Sequence, residues 1–393
     1  MTKKFGFLVT LVVLLLIIQP VFAEEDLNIN QDEIIQQQLD KLDLTEIDEM
    51  LRKADAELNG VLPTTNGQDL LKMIITHSYK LDFGGLIKNL LKYMFKEVIV
   101  NFDLLSKLII LAILCAILKS VQSSFEQGTV SKLAHAICYL VLVGLALSSF
   151  WIALNYGRLA IDNMVTFMQA LLPLLLSLLV AMGGLISTTI FHPLIILLIS
   201  TLSTVVSQVV FPLIFFSAIL TILSNIAEGF KISKLADLIK DLSVGFLGVM
   251  LSVFIGVMVV RGVTSSVSDG VSVRTAKFVT SNFVPIVGKM FSDALEILVS
   301  CSSLLKNAIG VLGVIGIILV CAFPVLKIVA LIFVYKLASA LIQPIADIKI
   351  VECLNDMGKS LTLVFAAVAS VAIMFFAALT IIVGAGNFTM MIR

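Results

Sequence analysis

Residues 190–224 read IFHPLIILLISTLSTVVSQVVFPLIFFSAILTILS, 35 positions without a single Asp, Glu, Lys or Arg. A helix of about 20 such residues, rising about 1.5 Å each, crosses the hydrocarbon of a bilayer. An uncharged run of this length decides the class: an all-α, polytopic helical membrane protein. The run is too long for one straight span and contains Pro193 and Pro212, which leaves either one bent span or a tight hairpin. Working outward, further apolar spans are read at 104–121, 133–153, 164–186, 242–261, 308–331 and 361–385. With 190–224 counted as one, the sequence predicts about seven transmembrane helices.

Composition agrees. Apolar residues make up 59% of the chain and charged residues 14%, and the mean hydropathy is +1.08; a soluble domain carries about 25% charged residues. The formal net charge of zero conceals an asymmetry. Residues 24–103 hold 16 Asp/Glu against 8 Lys/Arg, whereas 104–393 hold 11 against 17. An acidic polar head therefore precedes a basic, apolar body. Nucleic acid is excluded as a partner, because phosphate would be repelled by the head and the body's basic residues are scattered among apolar spans.

Residues 1–23 have the layout of a secretory signal peptide: Lys3 and Lys4, an apolar run from Phe5 to Ile18, then Pro20 and Val21-Phe22-Ala23. Cleavage is expected between Ala23 and Glu24; the alternative is an uncleaved anchor. Either way, residues 24–103 are expected to form a small helical domain outside the cytoplasm. Thr45-x-x-Asp48 reads as a capping box ahead of Ile47, Met50, Leu51, Ala54 and Leu58. An earlier helix carries Ile34, Ile35, Leu39 and Leu42, and a third starts near Gln68. A core this small is marginal alone, so the head is expected to dock on the membrane body or on another protein. Residues 86–98 end the head as an amphipathic helix, with Lys88, Lys92 and Lys96 on one face and Leu86, Ile87, Leu90, Leu91, Met94, Phe95 and Val98 on the other. This pattern suits a helix lying in the membrane interface.

Within the body, 104–393, Val130-Ser131-Lys132-Leu133-Ala134 resembles Ile232-Ser233-Lys234-Leu235-Ala236. Ala116-Ile117-Leu118 aligns with Ala218-Ile219-Leu220, and Glu126 with Glu228, at the same offset. The repeat units run over about 110–153 and 212–261. Three predicted spans from the start of one to the start of the next make them inverted, as in many carriers. Gly248, Ser252 and Gly256, four apart, and Gly310, Gly313 and Gly316, three apart, form small-residue stripes for close helix packing, within the chain or with a second copy in a homo-oligomer.

No motif carries catalysis. The three histidines, His77, His135 and His192, have no ligand spacing, and no P-loop or nucleophile elbow is present. No enzyme activity, metal or cofactor is therefore expected. Cys115, Cys138, Cys301, Cys321 and Cys353 sit in or beside apolar runs and act as small hydrophobes. Lys327 is the ionisable residue deepest in an apolar run: it faces a polar cavity or a partner, or it snorkels to the interface. Glu228 recurs in the repeat at a comparable position.

Four stretches carry a family resemblance: Asn282-Phe283-Val284-Pro285-Ile286-Val287-Gly288-Lys289-Met290-Phe291-Ser292-Asp293-Ala294, Leu304-Leu305-Lys306-Asn307-Ala308, Ala340-Leu341-Ile342-Gln343-Pro344-Ile345-Ala346-Asp347 and Gly384-Ala385-Gly386-Asn387. Together they resemble the stage III sporulation protein AE family of endospore-forming bacteria. The resemblance implies a membrane subunit of a multiprotein channel or secretion-like complex linking mother cell and forespore, needed for late forespore gene expression. It further implies a site in the mother-cell membrane around the forespore, the head in the intermembrane space, other stage III sporulation membrane proteins as partners, and a separate ATPase as energy source. Two other functions compete: a stand-alone secondary transporter built from inverted repeats, and a membrane scaffold for the other subunits.

Overall fold

A computed structural model describes residues 31–58, 66–76, 83–124, 129–226, 232–283 and 287–392. The signal segment 1–23, its expected cleavage point at Ala23 and Glu24, and Glu228 lie outside the described residues. Among the described residues every regular element is helical: α1 (Gln31–Asp40), α2 (Thr45–Leu58), α3 (Gly67–Ile75), α4 (Phe83–Val100), α5 (Phe102–Ser124), α6 (Thr129–Ala181), α7 (Leu185–Val205), a π turn (Val206–Val210), α8 (Phe211–Ile226), α9 (Ser233–Phe283), α10 (Val287–Ile342) and α11 (Ile348–Ile392).

The seven separate spans are not what forms. Five helical rods are long and apolar enough to cross a membrane, and α4 with α5, bent by 43° at their junction, makes a sixth if the pair is one span. The apolar part of each rod runs to 40 residues or more, about 60 Å at 1.5 Å per residue, twice the hydrocarbon thickness of about 30 Å. Two expected spans, 133–153 and 164–186, fuse into α6. The stretch between them is polar (Asn155, Arg158, Asp162, Asn163) but holds no proline and no turn pair, so the backbone has no reason to leave the helix. Its charge is accommodated sideways: Arg158 lies 5.1 Å over the Trp151 ring. The 190–224 run is one continuous path. Pro212 cannot donate to a carbonyl four residues back, and the chain widens just before it, so that the Phe211 N–H bonds the Val206 carbonyl across a π turn. Residues 278–283 end α9 and residues 287–304 begin α10.

The rods alternate in direction. The Ser217 hydroxyl on α8 donates to the Ala236 carbonyl near the start of α9, while Asp269 late in α9 reaches the start of α7. Ser339 on α10 bonds the Val351 carbonyl at the start of α11, while Gly310 on α10 meets Val383 near its end. Tyr93 stacks edge-on against Phe323, 5.0 Å between ring centres, and Lys119 pairs with Asp347, so α4–α5 descends alongside α10. The repeat units therefore coincide with α5–α6 and α8–α9, and both run in the same sense. The inverted relation fails because α6 is one rod and not two.

Packing sorts the two small-residue stripes. A Cβ at Gly316 would overlap the Phe167 ring, one at Gly313 would come within 2.9 Å of Leu171, and one at Gly310 within 2.6 Å of Val383. These three glycines let α10 close on α6 and α11. Gly248, Ser252 and Gly256 face outward instead, with nothing within 4 Å of an added Cβ at either glycine.

The N-terminal helices dock on the body, as their small core requires. Leu39, Leu44, Ile47, Leu51, Leu70 and Leu71 are buried in the same core as the rods, and the Gln38 amide donates to Ser302 Oγ at 3.0 Å. The expected capping box is built differently: Asp43 Oδ1 accepts the Thr45 N–H at 3.1 Å, and Asp48 accepts the Gly67 N–H at 2.6 Å, clasping α2 to α3.

The packing predicts opposite effects of one substitution type. Gly316→Ala lowers the melting temperature of the purified protein, overpacking costing about 1–3 kcal/mol. Gly248→Ala, made in open space, leaves it unchanged or raises it by the gain in helix propensity, up to about 1 kcal/mol.

Candidate functional site

Two of the four family-like stretches, far apart in sequence, meet in space. Lys306 lies on α10 and is 0% exposed. Its ammonium donates to the Val383 carbonyl at 2.7 Å and to Asn387 Oδ1 at 3.1 Å on α11. Gly386 lies directly against the ammonium, where any Cβ would overlap it. A side chain at 386 would push the end of the lysine chain aside and crowd Leu179. Among the described residues no carboxylate stands within ion-pair distance of Lys306, so a buried cation is held by neutral oxygens alone, an arrangement that is costly in a low-dielectric interior. The adjacent Asn307 Oδ1 is buried without a hydrogen-bond partner among the described residues.

A second polar anchor sits at the same end. Gly183 adopts φ +91°, the left-handed conformation that a tight reversal between α6 and α7 requires. The exposed N–H groups of Ile186 and Ser187 at the start of α7 are taken by the two oxygens of buried Asp269, at 2.8 and 2.9 Å. A carboxylate at a helix N-terminus meets both its free donors and its dipole. Leu179 separates the two anchors, meeting the Cβ position of Gly184 on one side and of Gly386 on the other.

The third family-like stretch contributes at the opposite end. Asp347 pairs with Lys119 and caps the Lys349 N–H. Burial raises its carboxyl, but these partners outweigh it and hold the group below its ordinary value. Of the fourth stretch, residues 284–286 lie outside the described residues, as do the side chains around them.

Lys327 faces a cavity of about 180 Å³ between α2, α6 and α10, shared with Lys53, Tyr156 and Asn163. Its ammonium lies 5.2 Å from the Tyr156 ring centre. On α4, Lys88, Lys92 and Lys96 are all exposed, beside an equally exposed apolar stripe of Ile87, Leu91, Phe95 and Ile99. Among the described residues no group of three or more His, Cys, Asp or Glu is placed to hold a metal ion.

Sequence reasoning singled out Lys327 from its depth in an apolar run, and passed over Lys306, which is buried more completely. Lys306 stands at the polar edge of the predicted 308–331 span, where depth gives no signal. Its place within a family-like stretch was the signal available.

Residues 65–386 match the family described as Stage III sporulation protein AE. Stage III sporulation protein AE of Bacillus subtilis (strain 168) is 44% identical over 352 residues, covering 90% of this chain and 88% of that protein. No solved structure matches.

The Lys306 geometry predicts that the partner at 387 sets stability in either direction. Asn387→Asp supplies the missing carboxylate and raises the melting temperature. Asn387→Leu removes one acceptor from a buried cation and costs about 1–3 kcal/mol. Thermal unfolding of the purified variants checks both signs.

Proposed function

Because this chain belongs to the stage III sporulation protein AE family, we propose that it is a membrane subunit of a multiprotein channel or secretion-like complex joining mother cell and forespore during endospore formation. In this role it sustains late forespore gene expression. It resides in the mother-cell membrane around the forespore, with the helices that precede α4 in the intermembrane space. Its partners are the bilayer and other stage III sporulation membrane proteins, including a separate ATPase that supplies the energy; it has no catalytic centre or cofactor of its own.

The observation that carries this reading is the family match across 65–386 on a body of long apolar rods. Support for a subunit role comes from the outward Gly248–Ser252–Gly256 face, whose small side chains permit close approach of a helix from a second copy or another subunit. The stand-alone transporter is disfavoured by the repeat units running in the same sense, since inverted pairing was its main argument. The scaffold reading shares the membrane and the partners and differs only in whether the chain lines a path.

Orientation follows from the alternation of rods. If α4–α5 is one pass, the chain crosses six times, and the start of the body and the end of α11 share one side. Lys119, Lys234, Lys336 and Lys349 then gather in or beside the linkers of one end. A cytoplasmic location for that end fits the preference of lysine and arginine for the inner side. The end of α11 is then external, in contrast to a seven-span count with an external head.

Deletion of the gene in its spore-forming host is expected to arrest development after engulfment, with small forespores and loss of late forespore gene expression; normal spores would overturn the proposal. A reporter active only outside the cytoplasm, fused after Arg393, is expected to be active; an inactive fusion with intact protein would rule out the six-pass orientation.

A further inference from the structure

The lining of the cavity at Lys327 mixes Lys53, Lys327, Tyr156 and Asn163 with apolar Met50, Leu159, Val320 and Phe323. Lys53 has an acidic neighbour on its own helix, Glu49, at 2.7 Å. Lys327 has none: among the described residues no carboxylate is within ion-pair distance, and the Tyr156 ring is its recorded contact. A ligand that satisfies this lining is an anion with an apolar body.

The depth of the cavity narrows the choice. It lies at the polar waist of α6, between the apolar stretches that flank Asn155–Asn163. Trp151 with Arg158 over its ring, and Tyr156 with Lys327 over its ring, set two aromatic rings and two cations at this level, the side-chain types that meet lipid headgroups. Tyr93 of α4 stacks on Phe323 in the cavity wall, so the helix that carries exposed Lys88, Lys92 and Lys96 beside an exposed apolar stripe runs past the same level.

We propose that this cavity binds the headgroup of an anionic phospholipid, its phosphodiester on Lys327 and its acyl chains along the apolar residues of the lining. The bound lipid adds to the contact of α2 with α6 and α10, which the buried N-terminal core already holds. The proposal is independent of the sporulation role.

The full-length chain, purified in a neutral detergent, is titrated with phosphatidylglycerol, phosphatidylcholine or inorganic phosphate, with retained lipid read by native mass spectrometry and stability by thermal unfolding. Phosphatidylglycerol is expected to be retained and to raise the melting temperature, phosphatidylcholine to do so weakly, and phosphate not at all. Lys327→Gln is expected to weaken phosphatidylglycerol binding about tenfold, the loss of one charge-assisted hydrogen bond. Lys327→Arg and Lys336→Gln, the latter exposed elsewhere on α10, are expected to bind as the unmodified chain does. Equal retention of the two lipids, or unchanged binding by Lys327→Gln, overturns the proposal. Stabilisation by phosphate alone, without preference for phosphatidylglycerol, reassigns the site to a soluble anion and overturns the lipid. Should Lys327→Gln fail to fold, the lipid preference of the unmodified chain decides.

Discussion

The close approach of α10 to α6 and α11 is the constraint on which the rest depends. Apolar side chains gain nothing by leaving lipid for one another, so helices in a bilayer are held by packing and by polar contacts between backbones. Gly310, Gly313 and Gly316 provide the packing, each leaving the space that Val383, Leu171 or Phe167 fills. The polar contacts lie where this packing brings helices together: Tyr335 and Ser149 share a hydrogen bond between α10 and α6, Ser339 reaches Val351, and Lys306 reaches Val383 and Asn387. Widening the α10 seam would loosen all of them.

The cost of the fold is concentrated in two buried charges near one end. Asp269 is compensated by two N–H groups of α7, which also ties α9 to that helix start. Lys306 is compensated only by neutral oxygens, on α11. These residues work as pins: each joins elements distant in sequence through a geometry that no apolar contact could specify. The outward surface is different in kind. It is apolar along every rod and includes small residues that none of the described residues covers, so its partners are lipid and other helices.

The resemblance stretches gain a physical meaning from this arrangement. Lys306 and Asn387 lie 81 positions apart and form one hydrogen bond. Gly386 leaves room for the ammonium beside it. Asp347 holds Lys119 across the opposite end of the bundle. Three stretches that looked independent are thus contact points between α10, α11 and α5.

Hydropathy by itself determined that this is an all-helical membrane protein with an acidic N-terminal head, because an uncharged run longer than a bilayer allows no other backbone. It also marked the start of α3 and the amphipathic α4, since cap chemistry and helical periodicity are local. Only the tertiary structure decided how many rods there are. Asn155–Asn163 looks like a loop by polarity, yet it continues a helix, because polarity without a breaker does not end one and Trp151 supports the Arg158 charge. That continuity reversed the sense of the repeat. Which glycines are buried was likewise undetermined: Gly248 and Gly316 have the same local character, and only the position of a neighbouring helix separates them. Lys306 escaped notice for the same reason, since its burial comes from α11, far along the chain.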